Sequence, residues 1–171
     1  PQAHWALARV YSRRELLDGD RAINSLRKAI ALDPNYADAH AMLANILHFV
    51  GRSEEALGNI EKAMRLNPHF PFWYYFVLGA NQFMLTHYEA SVESFTKSIS
   101  RNPSWQSHRI YLVAAYGHLG LIDEAEWEIE ELQALGFRLS IPNWKARSQI
   151  QDPSYRARLL EGLQKAGVPN S

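Results

Sequence analysis

Cysteine is absent from the chain. That excludes a disulfide framework, a thiolate zinc site and a thiol nucleophile. An excess of either charge is absent too. The 18 Lys and Arg residues balance 18 Asp and Glu, whereas a nucleic-acid-binding domain as a rule carries a basic excess. Long apolar runs are missing. The longest, Phe72 to Ala80, has nine residues, and a helix needs about 20 to cross a bilayer. No signal peptide is visible, because His4, Arg9, Arg13, Arg14 and Glu15 interrupt any apolar stretch at the start. These absences fit a cytoplasmic protein with no membrane insertion and no nucleic-acid contact. The first residue is Pro1 rather than Met, so the chain is expected to be a piece of something longer.

Motifs for chemistry are missing as well. There is no GxGxxG, no phosphate loop, no GxSxG and no HExxH. Seven histidines are present, but none lie four apart. His40 and His48 are eight apart, about two helical turns, which is too far for one ion. The acid pairs Glu54–Glu55 and Asp123–Glu124 stand where helices begin, where they complement the helix dipole. The expectation is no catalytic residue, no metal and no cofactor within this chain.

What is present is an internal repeat. AINSLRKAIALDP ends at Pro34, ALGNIEKAMRLNP at Pro68 and SVESFTKSISRNP at Pro103. Twelve residues before each proline stands a small residue: Ala22, Ala56 or Ser91. Eight before stands a large apolar one: Leu26, Ile60 or Phe95. Five before stands another small one: Ala29, Ala63 or Ser98. Spacings of four and three place all three on one helix face, where the small residues let a neighbour approach. The proline ends one helix and starts the next. A fourth copy, AEWEIEELQALGF, keeps Ala125 and Ile129 but has Leu132 and Phe137 where a small residue and a proline are expected. Apolar helices over Ala37–Phe49, Phe72–Leu85 and Gln106–Leu119 precede these segments, with turns at Gly51 and Gly120. The unit is a helix hairpin of about 34 residues.

This pattern resembles the tetratricopeptide repeat, with about four copies across Pro1 to Phe137. Ala44 and Gly79 match the small residue that the family places in the middle of its first helix, and Val113 does not. The first copy departs most, since its leading helix is rich in arginine. The resemblance implies an all-α superhelix of helix hairpins. We expect repeats over 1–36, 37–71, 72–105 and 106–137, and C-terminal capping helices over 138–171. In the last segment, NWKARSQI reads as a short helix. DPSYRARLLEGLQKAGVP reads as a longer one, with Asp152 as N-cap, Pro153 first and Gly167 as stop. Its stripe of Tyr155, Leu159, Leu160 and Leu163 is expected to cap the array's last face. Its basic side is expected near the acidic run from Asp123 to Glu131. FPFWYYFVLG, LVAAYGHLGLIDEAE and DPSYRARLLEGLQKAGVP together also resemble the C-terminal region of bacterial class III adenylate/guanylate cyclases and related winged-helix regulators. That narrower resemblance implies a regulatory region of a bacterial signalling protein, whose catalytic or DNA-binding domain would lie upstream.

In this fold the first helices of successive hairpins line a concave groove. The repeat register assigns Asp38, Ala41, Asn45, His48 and Phe49 to it. It adds Trp73, Phe76, Ala80, Phe83 and Met84, then Ser107, Ile110, Ala114 and His118. Leu7, Tyr11 and Arg14 would extend it. The candidate binding residues are Asn45, His48, Phe49, Trp73, Phe76, Phe83, Met84, Ile110 and His118. Chaperone-adaptor members of the family clamp peptide carboxylates with Lys, Asn and Arg on three first helices. Only Asn45 fits one such place here, so a chaperone carboxylate clamp is not expected. FPFWYYF carries six aromatics in seven residues. Tyr75, Leu78, Gly79 and Gln82 should face the hairpin partner, and Tyr74 the preceding repeat. Trp73, Phe76, Phe83 and Met84 should face the groove. There they would be packing, with the groove filled by the N-terminal region or a second copy, or they would hold an apolar helical peptide. A membrane contact ranks third, because no flanking Lys/Arg face accompanies the rings. The expected partner is therefore a protein or helical peptide, a homodimer included.

Overall fold

The computed structural model describes residues 18–170, which form nine helices and no strand among the described residues. In chain order these are α1 Gly19–Leu32, α2 Ala37–Phe49, α3 Ser53–Leu66, α4 Trp73–Met84 and α5 Tyr88–Arg101. Then follow α6 Gln106–Leu119, α7 Ile122–Ala134, α8 Ile141–Arg147 and α9 Pro153–Lys165. The leading helix expected before Gly19, with Leu7, Tyr11 and Arg14, lies outside the described residues.

Each helix ends for a readable reason. Asp33, Asn67 and Asn102 stand before Pro34, Pro68 and Pro103 with φ of −146°, −128° and −149°. A residue before proline is driven out of the helical region in this way. Their side chains then close the turn: Asp33 Oδ1 accepts from the Asn35 amide and Asn67 Oδ1 from the His69 amide, both at 3.1 Å. Inside the hairpins, the reversals at Gly51 and Gly120 use φ of +82° and +73°. The equivalent position of the middle hairpin is Thr86, at φ +65°, a conformation that disfavours a β-branched residue.

The helices form two layers. α2, α4 and α6 touch one another in sequence and make the inner layer. α3, α5 and α7 lie outside, each packed on the helix before it. The repeated small-large-small face is the seam. Ala22, Leu26, Ala29, Ala56, Ile60, Ala63, Ser91, Phe95 and Ser98 are all fully buried. Gly79 shows how tight the seam is, since a Cβ there would come within 2.9 Å of the Phe95 ring. Phe95 in turn packs on Phe76 and Tyr111, with centroids 6.0 and 5.7 Å away. One outer side chain thus joins two inner helices.

The fourth copy differs where its sequence differs. Leu132 is fully buried, but Ile129, the counterpart of Ile60 and Phe95, is only half-buried. Among the described residues no further helix packs outside α7, and Glu126 and Gln133 on that side are exposed. A polar outer face is one way for an array to stop.

The expected cap is not there. α9 turns away from α7 and packs on α6, on the inner side. Nor does its basic side meet the acidic run. The cation beside that run is Arg109 of α6, buried and paired with Glu128 and, at 3.1 Å, with Glu131. Lys165 of α9 pairs with Glu161 of its own helix. The reason is steric: Gly117 and Gly162 let α9 lie directly on the α6 backbone.

Phe95→Ala should open a cavity shared by α4, α5 and α6 and cost about 3–5 kcal/mol. Chemical denaturation followed by far-UV circular dichroism measures it. A loss below about 1 kcal/mol would mean that Phe95 is not the joint described.

Candidate functional site: the concave face

The inner helices present their concave face to the chain's own C-terminal segment. That segment divides the expected groove in two. Asn45, Phe49, Trp73, Phe76 and Ile110, from the inner helices, line a cavity of about 450 Å³. His48, Met84 and His118 meet α9 instead, and Phe83 packs on His118.

The covered part is held by specific bonds. The last carbonyl of α2, Phe49 O, accepts from the Gln151 amide at 2.9 Å. The last carbonyl of α4, Met84 O, accepts from the Arg158 guanidinium. Helix C-termini leave such carbonyls without partners inside the helix, and a cation there also suits the dipole. His118 Nε2 lies 2.9 Å from Arg158 O. The Ser53 amide donates to Tyr155 Oη at 3.3 Å. The filler expected was the N-terminal region or a second copy; among the described residues it is the C-terminal segment.

The other groove positions are structural. Ala41, Ala80 and Ala114 are fully buried. Asp38 Oδ1 accepts from Tyr74 Oη at 2.7 Å, which ties α4 to the preceding repeat. Tyr75 faces Lys97 and Arg101 of α5. Ser94 Oγ donates to Gln82 at 2.7 Å.

The open part is aromatic. Trp73, Phe76 and Trp105 form its floor with Phe49 and Ile110, and Phe76 meets Trp105 edge-on at 4.6 Å. The opposite wall comes from outside the repeats: Phe137, Trp144, Arg147 and Ile150. Arg147 is the one charged side chain among the described residues of the lining, and its guanidinium lies 4.9 Å from the Phe137 ring. Half-buried Asn45, with Gln106 and Ser107, supplies polar groups. Trp105 was missed in the sequence, yet a signal was available. Tyr36, Phe70 and Trp105 each stand two residues after a repeat proline. The C-terminal wall had no such signal, because it arises from long-range folding.

Two histidines, His48 and His108, are fully buried among the described residues. His48 has Nε2 2.8 Å from Tyr111 Oη, while its Nδ1 has no hydrogen-bond partner. Full burial pushes its pKa down to about 3. His108, 3.3 Å from Ser98 Oγ, is pushed down to about 4 by burial and then by the Arg109 charge. Neither is placed for proton transfer to a solvent-facing ligand. No group of three or more His, Cys, Asp or Glu that could hold a metal is found among the described residues. None of the described helices is long and apolar enough to cross a membrane.

With this geometry in place, comparison with known proteins is informative. Residues 25–58 match the family model of the tetratricopeptide repeat. The fold is that of a tetratricopeptide array. Human tetratricopeptide repeat protein 13 is 26% identical over 111 residues, which cover 65% of this chain and 13% of that protein. The chain thus spans a small part of the curated relative it matches. Among solved structures, MamA residues 41 to the end from Desulfovibrio magneticus RS-1 superpose with a TM-score of 0.65 at 18% identity. That match covers 80% of this chain and 73% of MamA. YrrB, described as a TPR protein with an unusual peptide-binding site, gives a TM-score of 0.64 at 20% identity. It covers 95% of this chain and 82% of YrrB. At such identities the likeness is one of fold.

The tetratricopeptide core should lose stability in acid. Folded His48 and His108 stay neutral down to about pH 3 and 4, whereas in the unfolded chain they take a proton near 6.5. Between those values the unfolded state binds more protons, so stability falls as pH drops below about 6.5. The denaturant midpoint should be lower at pH 5 than at pH 7.5, and His48→Gln should flatten the difference. An unchanged slope in that variant would show that His48 is not the titrating group.

Proposed function

We propose that the chain is a non-catalytic protein-interaction module whose concave face takes an apolar helical segment of a partner. One observation carries the reading: the aromatic cavity of about 450 Å³ on the inner face, floored by Trp73, Phe76 and Trp105. Its volume falls within the range of pockets that bind ligands. Aromatic anchors in a water-excluding hollow are the residues that dominate protein interfaces. The tetratricopeptide fold and the peptide-binding site named for YrrB support it. Among the described residues the repeat helices bring no lysine or arginine to the cavity, so the partner is held by an apolar stripe with i, i+3 or i+4, i+7 spacing. In this reading the module is the regulatory region of a bacterial signalling protein in the cytoplasm. FPFWYYFVLG and DPSYRARLLEGLQKAGVP are the segments that suggest that context. A cyclase or winged-helix domain would then be the effector that it regulates.

A selection from a random helical-peptide library on the folded chain should return such apolar stripes. Trp73→Ala should then weaken the selected peptides by about 2 kcal/mol, roughly thirtyfold. Peptides that bind Trp73→Ala and Phe76→Ala as well as the natural chain would overturn the assignment.

A further inference from the structure

The half of the groove beneath α9 is as specific as the open half. α9 lays one stripe into it: Tyr155, Leu159, Leu163 and Ala166, all buried. At the centre two glycines meet. A Cβ on Gly117 would strike Gly162 O and come within 2.8 Å of the Ala166 amide nitrogen. A Cβ on Gly162 would strike Ala114 O and come within 2.7 Å of His118 Cδ2. Contacts below 3.0 Å are ones that a real Cβ essentially never makes. Neither helix tolerates a side chain at the crossing.

The seat also reads position along the helix. Tyr155 Oη accepts from the Ser53 amide at one end, and Arg158 reaches Met84 O in the middle. The residues that meet the helix come from α2, the α2–α3 turn, the start of α3, α4 and α6. An occupant must therefore bring an aromatic hydroxyl, a leucine four residues on, a glycine three beyond that, and a leucine next to it. An ordinary amphipathic helix fails at the glycine.

We propose that this half of the groove is a helix receptor keyed by Gly117, and that the partner it fits is α9 of a second copy of the same chain. The inference rests on reading the concave face as an interaction surface. It names the partner by steric exclusion: the required stripe is carried by the chain itself. Ser148 to Asp152, which joins α8 to α9, is not helical and is the segment that would redirect α9. Within one molecule the tether gives α9 a high effective concentration. Exchange then grows with protein concentration, or when α9 is drawn away.

Complementation between two full-length variants tests this. Gly117→Phe blocks the seat and leaves α9 intact. The double variant Leu159→Asp, Leu163→Asp disables α9 and leaves the seat open. Each alone should be monomeric by size exclusion with light scattering, and the mixture should give a 1:1 complex of twice the monomer mass. Mixtures that stay monomeric, with both variants folded by far-UV circular dichroism, would overturn the proposal. If either variant fails to fold, a synthetic peptide of residues 152–168 is titrated into a Leu159→Ala, Leu163→Ala variant, whose own α9 is weakened in the seat. Saturable binding that Gly162→Leu in the peptide weakens at least tenfold supports the receptor. Absent binding, or equal binding of the Gly162→Leu peptide, overturns it. The peptide selection with Trp73→Ala reads the open half and this complementation reads the covered half, so either can fail alone.

Discussion

Close approach of helix backbones is the constraint on which the rest of this structure depends. Ala22, Ala29, Ala56, Ala63, Ser91 and Ser98 bring each outer helix near enough for Leu26, Ile60 or Phe95 to be fully buried, Phe95 against two inner helices. Larger residues at the small positions would push the layers apart and leave the large ones unsupported. The same rule, taken further, governs α9. Alanine or serine serves on the outer helices, with glycine needed at Gly79 opposite Phe95, and the crossing of α6 and α9 needs glycine on both sides. One steric principle therefore builds the array and decides what fills its groove.

Filling the groove changes its character. An open tetratricopeptide face is a long trough. Here α9 closes one end, and α8 with its connection raises a wall over the other, leaving an aromatic cavity with Arg147 at its edge. The burial also silences chemistry: His48, with a ring 6.4 Å from that of Tyr155, is held neutral among apolar rings. A face that looks reactive when read along the helices is in large part packing.

Legibility followed the range of the interactions. The hairpin unit, the prolines, Gly51, Gly120 and the caps of α9 were readable because they depend on neighbours a few residues apart. The facing of Tyr74 toward Asp38 and of Gly79 toward Phe95 was readable from helix period plus repeat register. Thr86 was not, since nothing local marks it as a left-handed turn; its register with Gly51 and Gly120 does. The direction of α9 was misread because its apolar stripe suits any uncovered helix face. Two were available: the outer side of α7 and the concave side of α6.

The sequence by itself determined an all-helical repeat, its period, its seam and its aromatic cluster, because periodic small and large residues act within one hairpin and between adjacent ones. The tertiary structure decided which half of the groove α9 covers. That choice turns on the Gly117–Gly162 crossing, on Phe49 O meeting Gln151, and on Met84 O meeting Arg158. These contacts join residues far apart in the chain, whose complementarity exists only once both surfaces have formed.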